Sequence, residues 1–509
     1  MQPIFNGLET PEDMMFWRHY NDHLSAVLTV EGEHKNAFKD MLVPIATRHQ
    51  GLMHSILALS SKHLDCETPY GVNFLKKHPG IDVESLQRRA DYHHEKAMER
   101  LYEDMGRQEN KDDPDYSVVL AARYGQMLCL LLESLIEGNP RGVHRVHLQA
   151  YQALIQHSPP EDPGLLGFLM EFFQYHIFAD ELIRFPDLHK ARLATEDWAP
   201  LAPIFPARLL GVADGLFNYL SKITSIRNRI RINIASQVDP VVDYTSLYRA
   251  AEIDAAIRDW APQWPPGDSR DRVSLLYKQM MWVYLFRTIY PPSVSSAGGS
   301  AATSSTSLAT APTETSASEP SSSLANTPPR STASSRASTP SPTTDGHAHQ
   351  RSRKRPLMTT KAVRVYEDDD DDDDDEDEDD GDEDEDDEDG DGGRASPPPI
   401  RRPPDHDSRI TIAVDESLAI LDSFKPSDPA QTLLLIPCLV IGTACFAPSQ
   451  QERVRTALRK VRGYTGLRNT DRVGEVLEEV WRLMARGDWV RVWDWQGIAR
   501  DLGADFLCS

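Results

Sequence analysis

His19 and His23 stand four residues apart, the spacing at which successive helical turns present metal ligands. The sequence specifies no third ligand, and Trp17 and Tyr20 beside them read as packing. Asp91-Tyr-His-His94 is a similar case, explained without a metal by a histidine pair on a helix surface or in a groove. Cys438 and Cys445 lie in an apolar stretch, where a free cysteine acts as a small hydrophobe. The indoles of Trp481, Trp489, Trp493 and Trp495 suggest either an aromatic ligand pocket or the closing of a core. Arg453, Arg455, Arg459, Arg462, Arg468 and Arg472, with Lys460, could form a phosphate-binding face. The alternative is a solvated helix surface, since Glu452, Asp471, Glu475, Glu478 and Glu479 lie nearby. No Gly-rich phosphate loop, nucleophile elbow or metalloprotease helix motif is present. The expectation is a non-enzymatic protein with no metal and no cofactor.

A second set of residues offers recognition rather than catalysis. Arg351, Arg353, Lys354 and Arg355 form a short basic cluster in flexible sequence, the kind an import receptor reads along an extended backbone. A chance basic stretch is the competing reading. Thr327, Thr339, Ser341 and Ser396 each precede a proline and fit proline-directed kinase sites, where each phosphate adds up to about two negative charges. The run from Glu367 to Asp391 holds 23 Asp or Glu in 25 residues. It could attract basic partners, mask the basic cluster, or serve as a solubilising spacer.

The elements that must carry these groups read as helices. Leu52, Ile56 and Leu59 recur at helical spacing up to Leu64. A second stripe runs Leu86, Ala90, Ala97, Leu101, Met105. Val118 to Ile136 is apolar on nearly all sides, so a buried central helix stopped by Gly138-Asn139-Pro140 is expected. Arg229 to Ile234 alternates as a strand would, yet Ile223, Ile226, Ile230 and Ile234 keep helical spacing, and the helix is favoured. Ser449 to Glu452 reads as a capping box before Val454. Val473, Val476, Leu477, Val480, Trp481 and Met484 mark another helix, ended by Gly487. No Asn-Gly hairpin signal flanked by alternating residues occurs. The fold class is therefore all-α, a multi-helix bundle or array of roughly ten to fourteen helices.

Composition divides the 509 residues, 57.2 kDa, into three. Residues 1–290 and 408–509 read as two parts of one helical domain. Residues 291–407 read as a disordered Ser/Thr/Pro-rich, basic and acidic linker that cannot bury enough apolar surface to fold. The net charge of -25 comes almost wholly from the acidic run, since without it 56 acids face 54 bases. Five scattered cysteines are too few for a disulfide framework and suit a reducing compartment. The N-terminus lacks the layout of a signal peptide. The apolar run Leu433 to Pro448 is too short to span a membrane, and the mean hydropathy is -0.48.

The two helical parts resemble the regulatory domain of fungal zinc-cluster transcription factors, the second of the two fungal-specific domain types. The N-terminal resemblance lies in Trp17-Arg-His-Tyr20, Asn36-Ala-Phe38, Val43-Pro-Ile-Ala46, His49 to Ser60 and Lys62-His63-Leu64. It continues in His93 to Ala97, Leu101, Leu128 to Glu133, Gly142, His147-Leu148 and Ala153-Leu154. The C-terminal resemblance lies in Pro437 to Ala444, the Arg453 to Arg462 helix, Leu477 to Trp481 and Asp494-Trp495. The family's DNA reader is a six-cysteine zinc cluster near the N-terminus. Here the first cysteine is Cys66 and no closely spaced run of cysteines follows, so zinc lacks its thiolates. The reading is that either an upstream exon is absent from this chain or the module was lost.

The resemblance implies a nuclear regulator of transcription that senses a signal or docks partners. Those partners would be the transcription machinery or another transcription factor, with DNA reached indirectly or through an upstream module. A small-molecule effector is left open, as is the oligomeric state, and no membrane contact is expected. Direct DNA binding would be weak and salt-sensitive, because only scattered basic residues could meet phosphates. The alternative is a helical scaffold, or a histone-chaperone-like protein that binds through its acidic run.

Overall fold

The computed structural model describes residues 7–31, 36–66, 69–77, 79–106, 111–186, 192–194, 204, 207–292 and 407–509. The basic cluster, the acidic run and the four Ser/Thr-Pro sites lie outside these residues. Among the described residues the fold is all-α, with nineteen α-helical segments and one isolated parallel bridge between Arg141 and Asp505. The excess over the expected ten to fourteen helices lies in short pieces of three to nine residues.

The chain opens with α1 (Pro11–His19), which runs through a π turn at Tyr20–Leu24 into α2 (Ser25–Val27). Thr10 caps α1 and Asp13 reaches back to the Thr10 amide, a reciprocal capping box with Pro11 at the first position. Two short helices follow, α3 (Ala37–Asp40) and α4 (Leu42–Ala46), then α5 (Gln50–His63), α6 (Pro69–Lys76) and α7 (Val83–Gly106). Next comes α8 (Tyr116–Glu137), the expected buried helix, which ends on Gly138 at φ 58°. A glycine meets that left-handed turn without the strain a Cβ would bring. By length and composition α8 could cross a membrane, but 83% of its apolar window is buried inside the fold.

The N-terminal segment continues with α9 (His144–His157), α10 (Pro163–Ile183), α11 (Leu216–Ala235), α12 (Tyr244–Asp259) and α13 (Ser269–Ile289). Arg229 to Ile234 is helical within α11, as the isoleucine spacing requires. After the undescribed stretch come α14 (Ser408–Asp422), α15 (Leu435–Gly442), α16 (Pro448–Thr465), α17 (Asn469–Arg486), α18 (Trp489–Trp493) and α19 (Trp495–Asp501). Aspartates cap several of these, among them Asp162, Asp243, Asp268, Asp407, Asp488 and Asp494, each accepting a first-turn amide.

The expected cap at Ser449 is corrected. Helix α16 starts two residues earlier than a Ser449 cap would place it, at Pro448, and its N-cap is Ala447, whose amide donates to Gln450 Oε1 at 3.2 Å. Proline supplies no amide donor and its fixed φ suits the first helical position, so it outranks the serine after it.

Two long helices act as hubs. Helix α8 packs against α4, α5, α7, α9, α10 and α17, while α13 packs against α11, α12, α14 and α15. Helix α10 touches α8, α9, α11 and α19, and so joins the two neighbourhoods. Buried side chains from both chain segments form one continuous apolar core. Apolar surface removed from water at about 25 cal/mol per Å² is what holds such helices, since isolated helices of this length are marginal.

Candidate functional site

The four tryptophans sit on the C-terminal helices, and each is placed by a different neighbour. Trp481 on α17 donates its indole N–H to Gly442 O at 2.9 Å, and the Arg455 guanidinium lies 4.6 Å from its ring. Trp489 is half-buried and meets Phe446 edge-on at 6.1 Å. Trp493 donates to Arg287 O at 2.7 Å, and Trp495 to Leu182 O at 3.0 Å. Both accepting carbonyls belong to the N-terminal segment, at the ends of α13 and α10. Trp493 and Trp495 are buried in the shared core.

Arg227 of α11 is wedged beside these two indoles, 4.2 Å from the Trp493 ring and 3.8 Å from the Trp495 ring. It is wholly buried, and burial brings its guanidinium down to about 9. One nitrogen donates to Trp493 O, while Nε and Nη1 have no hydrogen-bond partner. Arg231, one turn on, donates to Asp494 Oδ1 at 2.6 Å and to Gln496 Oε1 at 2.7 Å. Arg287 is buried as well and donates to Val492 O at 3.0 Å. Three arginines of the N-terminal segment thus grip α18 and α19, with one carboxylate, Asp494, among the groups they grasp. Burying cations with so little compensation is expensive.

The histidines singled out by spacing take part in two buried relays. His63 Nε2–H donates to Thr465 O at 2.8 Å, and burial holds His63 down at about 4. Its Nδ1 is therefore an acceptor for His19 Nε2–H at 2.9 Å. The His23 ring lies 5.4 Å from His19 and 5.7 Å from His63. Gly466, at φ 70°, leaves room for this: a Cβ there would stand 2.5 Å from His63 Nε2. In the second relay Asp13 accepts from His93 Nε2 at 2.7 Å and from Arg89, and the Nδ1 atoms of His93 and His54 meet at 2.8 Å. His93 is fully buried, not on a helix surface, whereas His94 is half-buried beside Glu133 at 3.4 Å. Among the described residues no group of three His, Cys, Asp or Glu is arranged to hold a metal ion.

Cys438 and Cys445 are buried, and burial pushes the Cys438 thiol up to about 12. A thiol so far from ionisation is no nucleophile at neutral pH. The arginines of α16 and α17 face acids: Arg453 pairs with Asp422, Arg455 with Glu478, Arg459 with Glu452, Arg462 with Asp471 and Arg472 with Glu475. Arg468 pairs with Asp65 and Lys460 donates to Phe424 O. Charges committed in this way offer phosphates little.

A cleft that spacing could not reveal lies where the start of α8 meets the α3–α4 turn and the loop from α9 to α10. Its volume is about 550 Å³, within the usual range for small-molecule sites. Met41, Ile45, Leu120, Ala121 and Leu165 supply apolar surface, and Arg48, Lys111 and Glu161 stand exposed on its margin. Three segments far apart in sequence build it. A smaller hollow of about 250 Å³ lies over His54 between α5 and α7, and another of about 240 Å³ between α12, α13 and α14.

No curated protein and no solved structure matches the chain. A sequence profile described as the fungal specific transcription factor domain matches residues 15–321 and 399–508. Those two stretches take in the helices of both segments, the tryptophan grip and the cleft. That domain is a transcription factor family rather than an enzyme class. With a match over most of its length, the chain belongs to the fungal specific transcription factor domain family.

Proposed function

We propose that the chain is a nuclear regulator of transcription whose helical body senses a signal or docks partners. The observation that carries this reading is the family match across both helical segments, whose described residues share one core. A body closed by buried, imperfectly paired arginines is suited to two packings of nearly equal free energy, which a ligand or partner can bias. The partners would be the transcription machinery or another transcription factor, with DNA reached through them or through a further module. Arg351, Arg353, Lys354 and Arg355 serve as the import signal in this reading, and Thr327, Thr339, Ser341 and Ser396 as sites where phosphate tunes it.

Two measurements test it. The full chain, fused to a heterologous DNA-binding domain, should change the output of a reporter carrying that domain's site. A fluorescent fusion should be nuclear and lose nuclear enrichment when the four basic residues become alanine. A reporter that does not respond removes the regulatory reading. A mutant as nuclear as its parent removes the import assignment alone.

A further inference from the structure

We infer that the outer face of α12 is an interface between two copies of this chain, paired antiparallel about a two-fold axis near the middle of the helix. Helix α12 buries Ser246, Ala250, Ile253 and Ile257 against the rest of the fold. Directly opposite, at i, i+4, i+7 and i+11, stand Tyr244, Tyr248, Ala251 and Ala255, all exposed. Tyr244 is 85% exposed and Tyr248 68%, and Leu247 beside them is exposed as well. Single apolar residues on a surface are ordinary. A row of them at helical spacing, turned away from the core, is the pattern of a face that a partner covers. The row is also graded: its large side chains occupy the first half of the helix and its small ones the second.

That gradient selects the occupant. A second α12 laid parallel would set tyrosine on tyrosine and leave the alanines facing across a gap. Laid antiparallel, it sets Tyr248 on Ala251 and Tyr244 on Ala255 of the second copy, and symmetry makes each contact twice, as a self-complementary two-fold interface requires. The flanks agree with this register. Glu252 and Arg249 lie on the same side of the row, and in a two-fold antiparallel pair like sides face each other. Arg249 therefore falls opposite Glu252 of the second copy, a pairing of unlike charges at both ends of the axis. The area is adequate for reversible association. Two tyrosines this open offer on the order of 300 Å². Leu247, the two alanines and the stems of Glu252 and Arg258 carry the face toward the roughly 800 Å² per partner of a standard interface.

This inference goes beyond the regulatory reading and does not rest on it. The experiment is analytical ultracentrifugation of the full chain over about 1–100 µM, a range that brackets weak interfaces of this size. The chain should pass from monomer to dimer. In the double variant Tyr244→Glu, Tyr248→Glu, both sites being exposed, the dissociation constant should rise at least tenfold. Ala251→Trp separates a fitted interface from general stickiness: the fitted one weakens at least tenfold, whereas a merely apolar patch would tighten. Arg249→Glu and Glu252→Arg should each weaken the dimer, and an equimolar mixture of the two should restore it as a mixed pair. Circular dichroism and the unfolding midpoint confirm that each variant folds. A chain still monomeric at the highest concentration overturns the interface. So does a dimer undiminished by the tyrosine changes or tightened by Ala251→Trp, and a mixture that restores nothing overturns the antiparallel register. If the chain is monomeric yet the tyrosine variant silences the reporter fusion, the face serves a different protein and the second copy is excluded. If the chain dimerises as expected but the reporter does not respond, the interface stands and the regulatory reading fails.

Discussion

Arg227 concentrates the conflict between specificity and stability in one side chain. It is wholly buried between Trp493 and Trp495, with two nitrogens lacking a hydrogen-bond partner. Replacing such a cation by a long apolar side chain removes the desolvation cost and keeps the packing. Arg227→Met should therefore stabilise the protein by about 1–4 kcal/mol in urea unfolding. A loss of stability would show that the guanidinium is better compensated than its contacts indicate. Trp495→Ala should do the opposite, costing about 3–5 kcal/mol through a large cavity and the orphaned Leu182 carbonyl. The buried histidines give a pH signature. Burial lowers His63 to about 4 and His176 to about 3, against 6.5 for an ordinary histidine. Below pH 6.5 the unfolded chain takes up protons that the folded chain refuses, so their stabilising contribution is present above that pH and is lost as pH falls toward 4. Each group adds a slope of at most about 1.4 kcal/mol per pH unit. His176→Phe should flatten the dependence of the unfolding free energy between pH 6 and 4. An unchanged slope sinks the assignment. Spacing exposed little of this. His19 and His23 stood out as a pair, but His63, their real partner, lies in another helix and answers to Thr465, 402 residues further on.

The helices themselves were legible wherever local chemistry decides. Gly138 ends α8 and Gly487 ends α17, both in the left-handed region that the sequence marks by a glycine after the last apolar turn. The start of α16 was misplaced by two residues because Ser449 reads as a cap, whereas Pro448, with no amide to donate, takes the first helical position. The helix ends also carry testable demands. Gly466, the C-cap of α16, combines φ 70° with the His63 ring in the space a Cβ would fill. Gly466→Ala should cost about 2–3 kcal/mol and raise the reactivity of His63 toward diethyl pyrocarbonate as the His63–Thr465 bond opens. A stability change of only a few tenths of a kcal/mol would mean that the imidazole simply moves aside. The cleft was illegible for a different reason. Its walls come from the α3–α4 turn, the start of α8 and the α9–α10 loop, none of which carries a motif.

For the molecule as a whole, composition divides the chain into three stretches, and periodicity foretold helices in the outer two. It could not foretell which helix meets which. The two ends of the undescribed stretch leave the body close together, since Arg409 Nη2 donates to Tyr290 OH at 2.9 Å. Replacing residues 293–406 by a dozen glycines and serines shortens the connection about ninefold, a little over three doublings, and should stabilise the fold by about 2 kcal/mol. Destabilisation would mean that the stretch contributes contacts of its own. The tryptophan grip has a further consequence, one of timing. The N-terminal helices leave the ribosome first, yet the carbonyl of Arg287 finds its indole donor only 206 residues later. At about 5–20 residues per second that is a wait of roughly ten to forty seconds with an apolar seam uncovered. With this topology a fragment ending near residue 290 should leave the Arg287 and Leu182 carbonyls without their indole donors and be less soluble than the full chain, which comparing the soluble fractions of the two checks.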